Sequence, residues 1–197
     1  MAKTGGGVDV AKRVQAGEAF DVVVLAANAI DQLVTDGKLL AGSRVDILKS
    51  AVAMAVPAGA SMPDITTEEA VKRAVPAART ISYSTGLSGV YLRKLFKRWG
   101  ILEIIKPRIV QAPPGVAVGS LIAKGDVALE FQQLSELINL QGITVVGPLP
   151  AAIQTVTTFS AGVSVTSQQP EVAATLSAFM AAPAAAVTKR KQGMEPA

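Results

Sequence analysis

Residues 81–96 read ISYSTGLSGVYLRKLF. A short run ending in Tyr83 has the β-branched and aromatic character of a strand. It gives way to Ser84-Thr85-Gly86-Leu87-Ser88-Gly89, and then to a segment in which Leu92, Leu95, Phe96 and Trp99 recur at helical spacing until Gly100 stops it. Strand, hydroxyl- and glycine-rich turn, helix is the local order of an α/β fold. It also carries chemistry, because the first N–H groups of a helix have no intrahelical acceptor and, with neighbouring hydroxyls, can face an anion. The same pattern is met if Ser84 or Ser88 only caps the helix and glycine only permits the turn.

The alternation extends in both directions. Upstream, residues 8–15 place Val10, Ala11 and Val14 on one helical side and Lys12 and Arg13 on the other, with entry through Gly5-Gly6-Gly7 and a stop at Gly17. DVVVLA (21–26) is a continuous apolar run of the kind expected in a parallel strand covered on both faces. A helix over 30–35 follows, then a buried strand SAVAMAV (50–56) closed by Pro57, then a helix capped by Thr66 or Thr67 with Glu68 and Glu69 in its first turn. Downstream the pattern predicts a weak helix over 116–123, strands over 127–131 and 143–146, a long β-rich run over 155–165, and a helix over 171–180 opened by Pro170. The alanine-rich and then basic tail from Pro183 reads as frayed.

Composition narrows the function classes. Half the residues are hydrophobic, and the chain is long enough to bury a core. With neither histidine nor cysteine, imidazole acid/base chemistry, thiolate nucleophiles, disulfides and the usual zinc, iron–sulfur and haem ligand sets are excluded. The net charge of +4 falls to about +1 without Lys189, Arg190 and Lys191, so the basic balance is largely a tail effect. Arg93, Lys94, Lys97 and Arg98 beside Trp99 read as a solvated helix face, which leaves nucleic acid out of the expected partners. No run approaches the ~18 apolar residues of a membrane span, so membrane insertion is not expected. Residues 1–7 lack the apolar segment of a secretory signal, which predicts a cytoplasmic location for the chain as written and a periplasmic one if translation starts upstream.

Two further glycine-rich entries to helices, Thr4-Gly5-Gly6-Gly7 and Pro113-Pro114-Gly115-Val116, share the logic of the Ser84–Gly89 turn. Among carboxylates, Asp21, Asp64, Glu130 and Glu136 stand out. Spacing fixes no partner carboxylate for any of them, so each is expected to be a cap or surface group rather than an acid/base. No catalytic residue, metal ligand or cofactor is assigned.

Five blocks, GEAFDVVVLA (17–26), LKSAVAMAVPAGASMPDI (48–65), ISYSTGLSGVYLRKLF (81–96), GDVALEFQQLSEL (125–137) and VVGPLP (145–150), together resemble the molybdate-type substrate-binding proteins of bacterial ABC importers. That resemblance implies an α/β, two-lobed, type 2 periplasmic-binding-protein-like fold of the Venus-flytrap kind. Lobe 1 would comprise residues 1–50 and 160–197 and lobe 2 residues 57–152, joined by hinge crossings at 51–56 and 153–159. It implies ligand contacts at Thr4, Gly5 and Gly6 from the first lobe and at Ser84, Thr85, Ser88, Gly89, Gly115 and Val116 from the second. Gln133 stands where molybdate binders carry a tyrosine, a departure from the tetrahedral-oxyanion pattern.

Family members begin with a strand, a ligand-bearing loop, a helix and a second strand ahead of the segment matching Thr4. The first lobe is therefore expected to be incomplete, with DVVVLA at an open sheet edge prone to self-association. The implied partners are a small anionic ligand, oxyanion or carboxylate, and an ABC permease. Two alternatives accompany this reading. One is an isomerase of small polycarboxylates resembling aconitate isomerase, with Tyr83 or Glu136 as the base; the other is a remnant of a protein whose start lies upstream.

Overall fold

The computed structural model describes residues 2–112 and 118–197, and the chain divides into two units, one made of the stretch up to Ser50 with Thr157–Ala197, the other of Ala51–Val156. The first unit contains α1 (Gly7–Gln15), β1 (Val22–Ala26), α2 (Ala27–Thr35) and the leading half of β2 (Val45–Pro57). The trailing half of β2 belongs to the second unit, with α3 (Glu68–Ala77), β3 (Ile81–Tyr83), α4 (Leu87–Arg98) and α5 (Leu102–Ile105). There follow α6 (Gly119–Ala123), β4 (Leu129–Gln133), α7 (Leu134–Leu137) and β5 (Ile143–Pro148). The chain then returns to the first unit through β6 (Val156–Val163), α8 (Pro170–Ala181), α9 (Ala186–Lys191) and β7 (Glu195–Pro196).

In the first unit the strand order is β1–β6–β2, with β7 also on β2. DVVVLA does not lie in a parallel sheet covered on both faces. β1 pairs antiparallel with β6, from Val22 opposite Val163 to Ala26 opposite Phe159, and its burial alternates: Val23 and Leu25 are buried with Val14, Ile30 and Leu33, while Val24 is 42% exposed. A run of valines carries no alternation in sequence, so only the packing distinguishes its two faces. Among the described residues β1 pairs with β6 alone.

The tail from Pro183 is not frayed. Lys189 is only 6% exposed and its ammonium donates to the Ile47 carbonyl at 2.7 Å, while β7 pairs with β2 at Leu48 and Lys49. The stem of Lys189 supplies apolar cover that its neighbours Arg190 and Lys191 do not, which a run of three cations conceals.

The second unit is built on β3, β4, the trailing half of β2, and β5. β3 and β4 are parallel, and β2 is antiparallel to both β4 and β5. The register sets Met54 beside Phe131 and Tyr83 beside Phe131, so these side chains share one face with Val52, Val56, Ile81 and Leu129. Val71 and Val75 of α3, Leu92, Leu95 and Phe96 of α4, and Ile105 of α5 cover that face. Phe96 meets Tyr83 and Phe131 edge-on, with centroids 5.9 and 5.8 Å apart. The opposite face carries Ala53 and Ala55, and Ile122 of α6 and Leu137 of α7 pack there. Helix boundaries follow local chemistry: Thr67 caps α3 by accepting the Ala70 N–H at 3.1 Å, and Gly100 takes the positive φ that lets the chain leave α4.

Gln154 locks the chain leaving this sheet to its central strand. Its Oε1 accepts the Val52 and Thr155 N–H groups at 3.0 and 2.9 Å, and its Nε2 donates to the carbonyls of Val52 and Leu149 at 3.0 and 3.1 Å. Gln154→Leu keeps the volume and removes all four bonds, and is expected to cost about 1–3 kcal/mol in urea denaturation. A loss below ~0.5 kcal/mol would show that backbone partners alone satisfy Val52.

Candidate functional site

The turn between β3 and α4 is shaped by one close approach. A Cβ built at Gly89 would overlap the Ser84 carbonyl oxygen and come 3.2 Å from the Tyr83 ring, so only glycine lets the turn fold down on the first turn of α4. The Ser84 hydroxyl accepts the Gly86 N–H at 2.9 Å, and Gly86, not a serine, is the N-cap. The first amide of α4 with an intrahelical acceptor is Val90, bonded to the Gly86 carbonyl at 3.0 Å, which leaves the Leu87, Ser88 and Gly89 amides outside the helical ladder. Ser88 is buried, Ser84 half-buried and Thr85 exposed.

This turn borders a cavity of about 500 Å³ in the second unit. Ser84, Thr85 and Gly89 form one side; Arg93 of α4 and Lys106, just after α5, bring positive charge to the wall, and Glu103 and Gln111 add polar groups. Leu102 and Ile109 supply apolar lining. Tyr83 also lines the cavity; it is 8% exposed, and its hydroxyl has no hydrogen-bond partner among the described residues. Burial raises its pKa and the nearby Arg93 charge opposes the rise, so the phenol holds its proton at neutral pH. Arg98, further along α4, faces elsewhere: it pairs with Glu68 at 2.5 Å, and the same carboxylate accepts the Trp99 indole N–H at 2.7 Å. Arg93 is thus part of a cavity wall and not only of a solvated helix face.

The remaining sequence candidates are dispersed. Thr4, Gly5 and Gly6 are exposed at the entry to α1 in the first unit. Gln133 ends β4, buried, and its N–H donates to the Gln132 side chain at 3.0 Å. Gly115 and Val116 lie outside the described residues. Asp64 accepts the Thr66 N–H and hydroxyl at 2.9 and 2.7 Å, a turn cap, and Asp21 accepts the Ser167 hydroxyl at 2.8 Å. Glu136, the other candidate base, is exposed on α7 and does not line the cavity.

Glu130 is neither a cap nor a surface group. It lies on β4 opposite Ala55 and Ser82, is 0% exposed, and neither carboxyl oxygen has a partner among the described residues; the adjacent Ser82 hydroxyl has none either. The face shared with Ala53 and Ala55 also carries Gln132, and the apolar side chains of α6 and α7 cover it. Burial, with the Glu136 charge adding to it, pushes the Glu130 carboxyl up to about 7 from an ordinary 4.5. Among the described residues no group of histidine, cysteine, aspartate and glutamate is arranged to hold a metal ion.

A family model described as bacterial extracellular solute-binding protein matches residues 2–195. The chain belongs to that family. It is 38% identical over 190 residues to an aconitate isomerase of a Pseudomonas species, an alignment covering 95% of this chain and 71% of that protein. In fold it resembles the periplasmic molybdate-binding protein of Azotobacter vinelandii, with a TM-score of 0.80 at 20% identity over 98% of this chain and 85% of that one. It also resembles a tungstate-binding protein of Desulfovibrio alaskensis, with a TM-score of 0.63 at 16% identity over 98% and 84%. The fold of this solute-binding protein is therefore α/β of the periplasmic-binding-protein kind, as its sequence blocks imply. Lys106, Glu103 and Gln111 gave no signal in the sequence, because the segment bearing them has neither glycine punctuation nor charge clustering.

Two outcomes follow. Gly89→Ala must displace either the Ser84 carbonyl or the start of α4, and is expected to destabilise by on the order of 2 kcal/mol in chemical denaturation. For Glu130 the folded pKa lies above the unfolded one, so its contribution is intact below about pH 4.5 and is lost as pH rises through about 7. The full loss is on the order of 3 kcal/mol. Glu130→Gln should flatten that slope and be the more stable protein at pH 8; an unchanged slope in the variant would place the titrating group elsewhere.

Proposed function

We propose that this protein captures a small anionic solute, with the Ser84–Gly89 turn and the cavity beside it as its second-lobe contact surface. The observation that carries this is the Gly89 contact, which holds unsatisfied amides and the Ser84 and Thr85 hydroxyls next to a wall bearing Arg93 and Lys106. Charge-assisted hydrogen bonds of this kind contribute ~1.5–3 kcal/mol each. Thr4, Gly5 and Gly6 supply the first-lobe contact in this reading, and Gly115, Val116 and Gln133 further contacts from the second. The family places such proteins in the periplasm, delivering anionic ligands to an ABC permease, and the same role is proposed here. The open edge of β1 is the site at which copies would associate.

A second reading, isomerisation of an unsaturated polycarboxylate, is favoured by the 38% identity to aconitate isomerase and by Tyr83, a protonated phenol on the cavity wall. Moving a double bond along such a substrate requires removing a proton from one carbon and returning one to another. A phenol that holds its proton can return one to the second carbon but cannot take the first, and Glu136 does not line the cavity, so the proton acceptor is another lining group, of which Glu103 is the carboxylate.

A thermal-shift screen against molybdate, tungstate, sulfate, phosphate, citrate and aconitate distinguishes the readings. Ligand at ~100 times its Kd stabilises by about 2.7 kcal/mol, or about 5 °C or more in Tm. A shift with any of these anions is the expected result, and a cooperative melt that none of them moves would overturn the binding reading. Isomerisation is tested by following cis- to trans-aconitate conversion by NMR; no turnover by the wild-type protein would exclude it.

A further inference from the structure

The cavity beside the Ser84–Gly89 turn is large for a tetrahedral oxyanion, and its two positive charges come from different elements. At about 500 Å³ it falls in the range of sites for organic ligands. Arg93 projects from the second turn of α4, whereas Lys106 follows α5, so the two cations reach the wall from different elements. Among the described residues Arg93 has no carboxylate partner, and Lys106 is held only loosely, 3.5 Å from an exposed Glu103. Tyr83, a residue only 8% exposed, lines the same cavity, and its hydroxyl has no partner among the described residues. Leu102 and Ile109 also line the cavity; they offer nothing to an inorganic oxyanion and suit a short carbon skeleton.

We infer that the solute is a polycarboxylate, and that Arg93 and Lys106 determine this specificity by each engaging a carboxylate while a third group meets the turn at the start of α4. This inference rests on the anion-binding reading above and narrows it to a ligand class. A guanidinium binds a carboxylate through two parallel N–H donors, a geometry that a single ammonium cannot reproduce, so Arg93 fixes orientation and Lys106 supplies a point charge. Tyr83 donates its hydroxyl hydrogen to the ligand. Glu103 works against binding by neutralising Lys106, which makes its removal informative.

The test is isothermal titration calorimetry of the intact chain with tricarballylate, succinate, acetate and sulfate. Wild-type protein should bind tricarballylate most tightly. Arg93→Gln and Lys106→Gln should each weaken tricarballylate by roughly tenfold or more and leave acetate nearly unchanged, while Glu103→Gln should tighten it several-fold. Lys97→Gln, on the same helix but away from the cavity, should match wild type. All four side chains are largely exposed, so folding, checked by the thermal melt, is expected to survive. Sulfate bound in preference to tricarballylate, or tricarballylate bound equally by wild type, Arg93→Gln and Lys106→Gln, overturns the inference and leaves the anion-binding reading standing. A chain that binds none of the four anions overturns the inference, and the anion-binding reading falls with it only if molybdate, tungstate and phosphate also leave the thermal melt unmoved.

Discussion

The trailing half of β2 is buried from Val52 to Val56, and every N–H and C=O there has to find a partner away from water. The partners come from far along the chain: β4 on one edge, β5 on the other, and the Gln154 amide where the strand pairing runs out. Once those pairs form, the register is fixed, and with it the face on which each side chain of the second unit lies. The apolar layer under α3, α4 and α5, the end of β3 from which the turn to α4 departs, and the burial of Glu130 all descend from that pairing.

The candidate site uses the fold economically. β3 ends at Tyr83, inside the cavity, and the next residues must reverse into α4 over a distance that admits no side chain at Gly89. That reversal places amides and hydroxyls at the cavity, while α5, packed on the same face through Ile105, carries the chain on to Lys106, which also lines it. The charged groups are exposed on otherwise well-packed helices. They can therefore change with little cost to the core, and the scaffold suits many anionic solutes.

Glu130 is the exception to this division between scaffold and site. An unpartnered carboxyl on the α6–α7 face opposes the stability that its strand provides, and it lies on the other side of the sheet from Tyr83. Its burden on the fold grows with pH, and Ala55 opposite it on β2 gives its side chain room. The bonds described for the cavity do not account for its presence.

Much of the architecture was legible in the sequence because local physics wrote it there. The glycine stop at Gly100, the Thr67 cap, the Leu92–Leu95–Phe96 stripe and the strand–turn–helix over 81–96 depend on residues within a few positions of one another. Where burial is imposed from a distance the sequence was mute or misleading. Leu129-Glu130-Phe131-Gln132 alternates like a strand with one wet face, yet α6 and α7 cover that face. Lys189 sits in a basic run that reads as solvated, yet its ammonium is drawn to the Ile47 carbonyl. Arg93 on α4 and Lys106 just after α5 become parts of one cavity lining only when both helices pack on the same sheet. Sequence by itself determined most of the helices and strands, the Thr67 cap and the Gly100 stop, since these follow from short-range spacing, and its five blocks carried the family resemblance; tertiary structure alone decided which polar groups are buried and which charges share a cavity, since both depend on contacts between residues far apart in the chain.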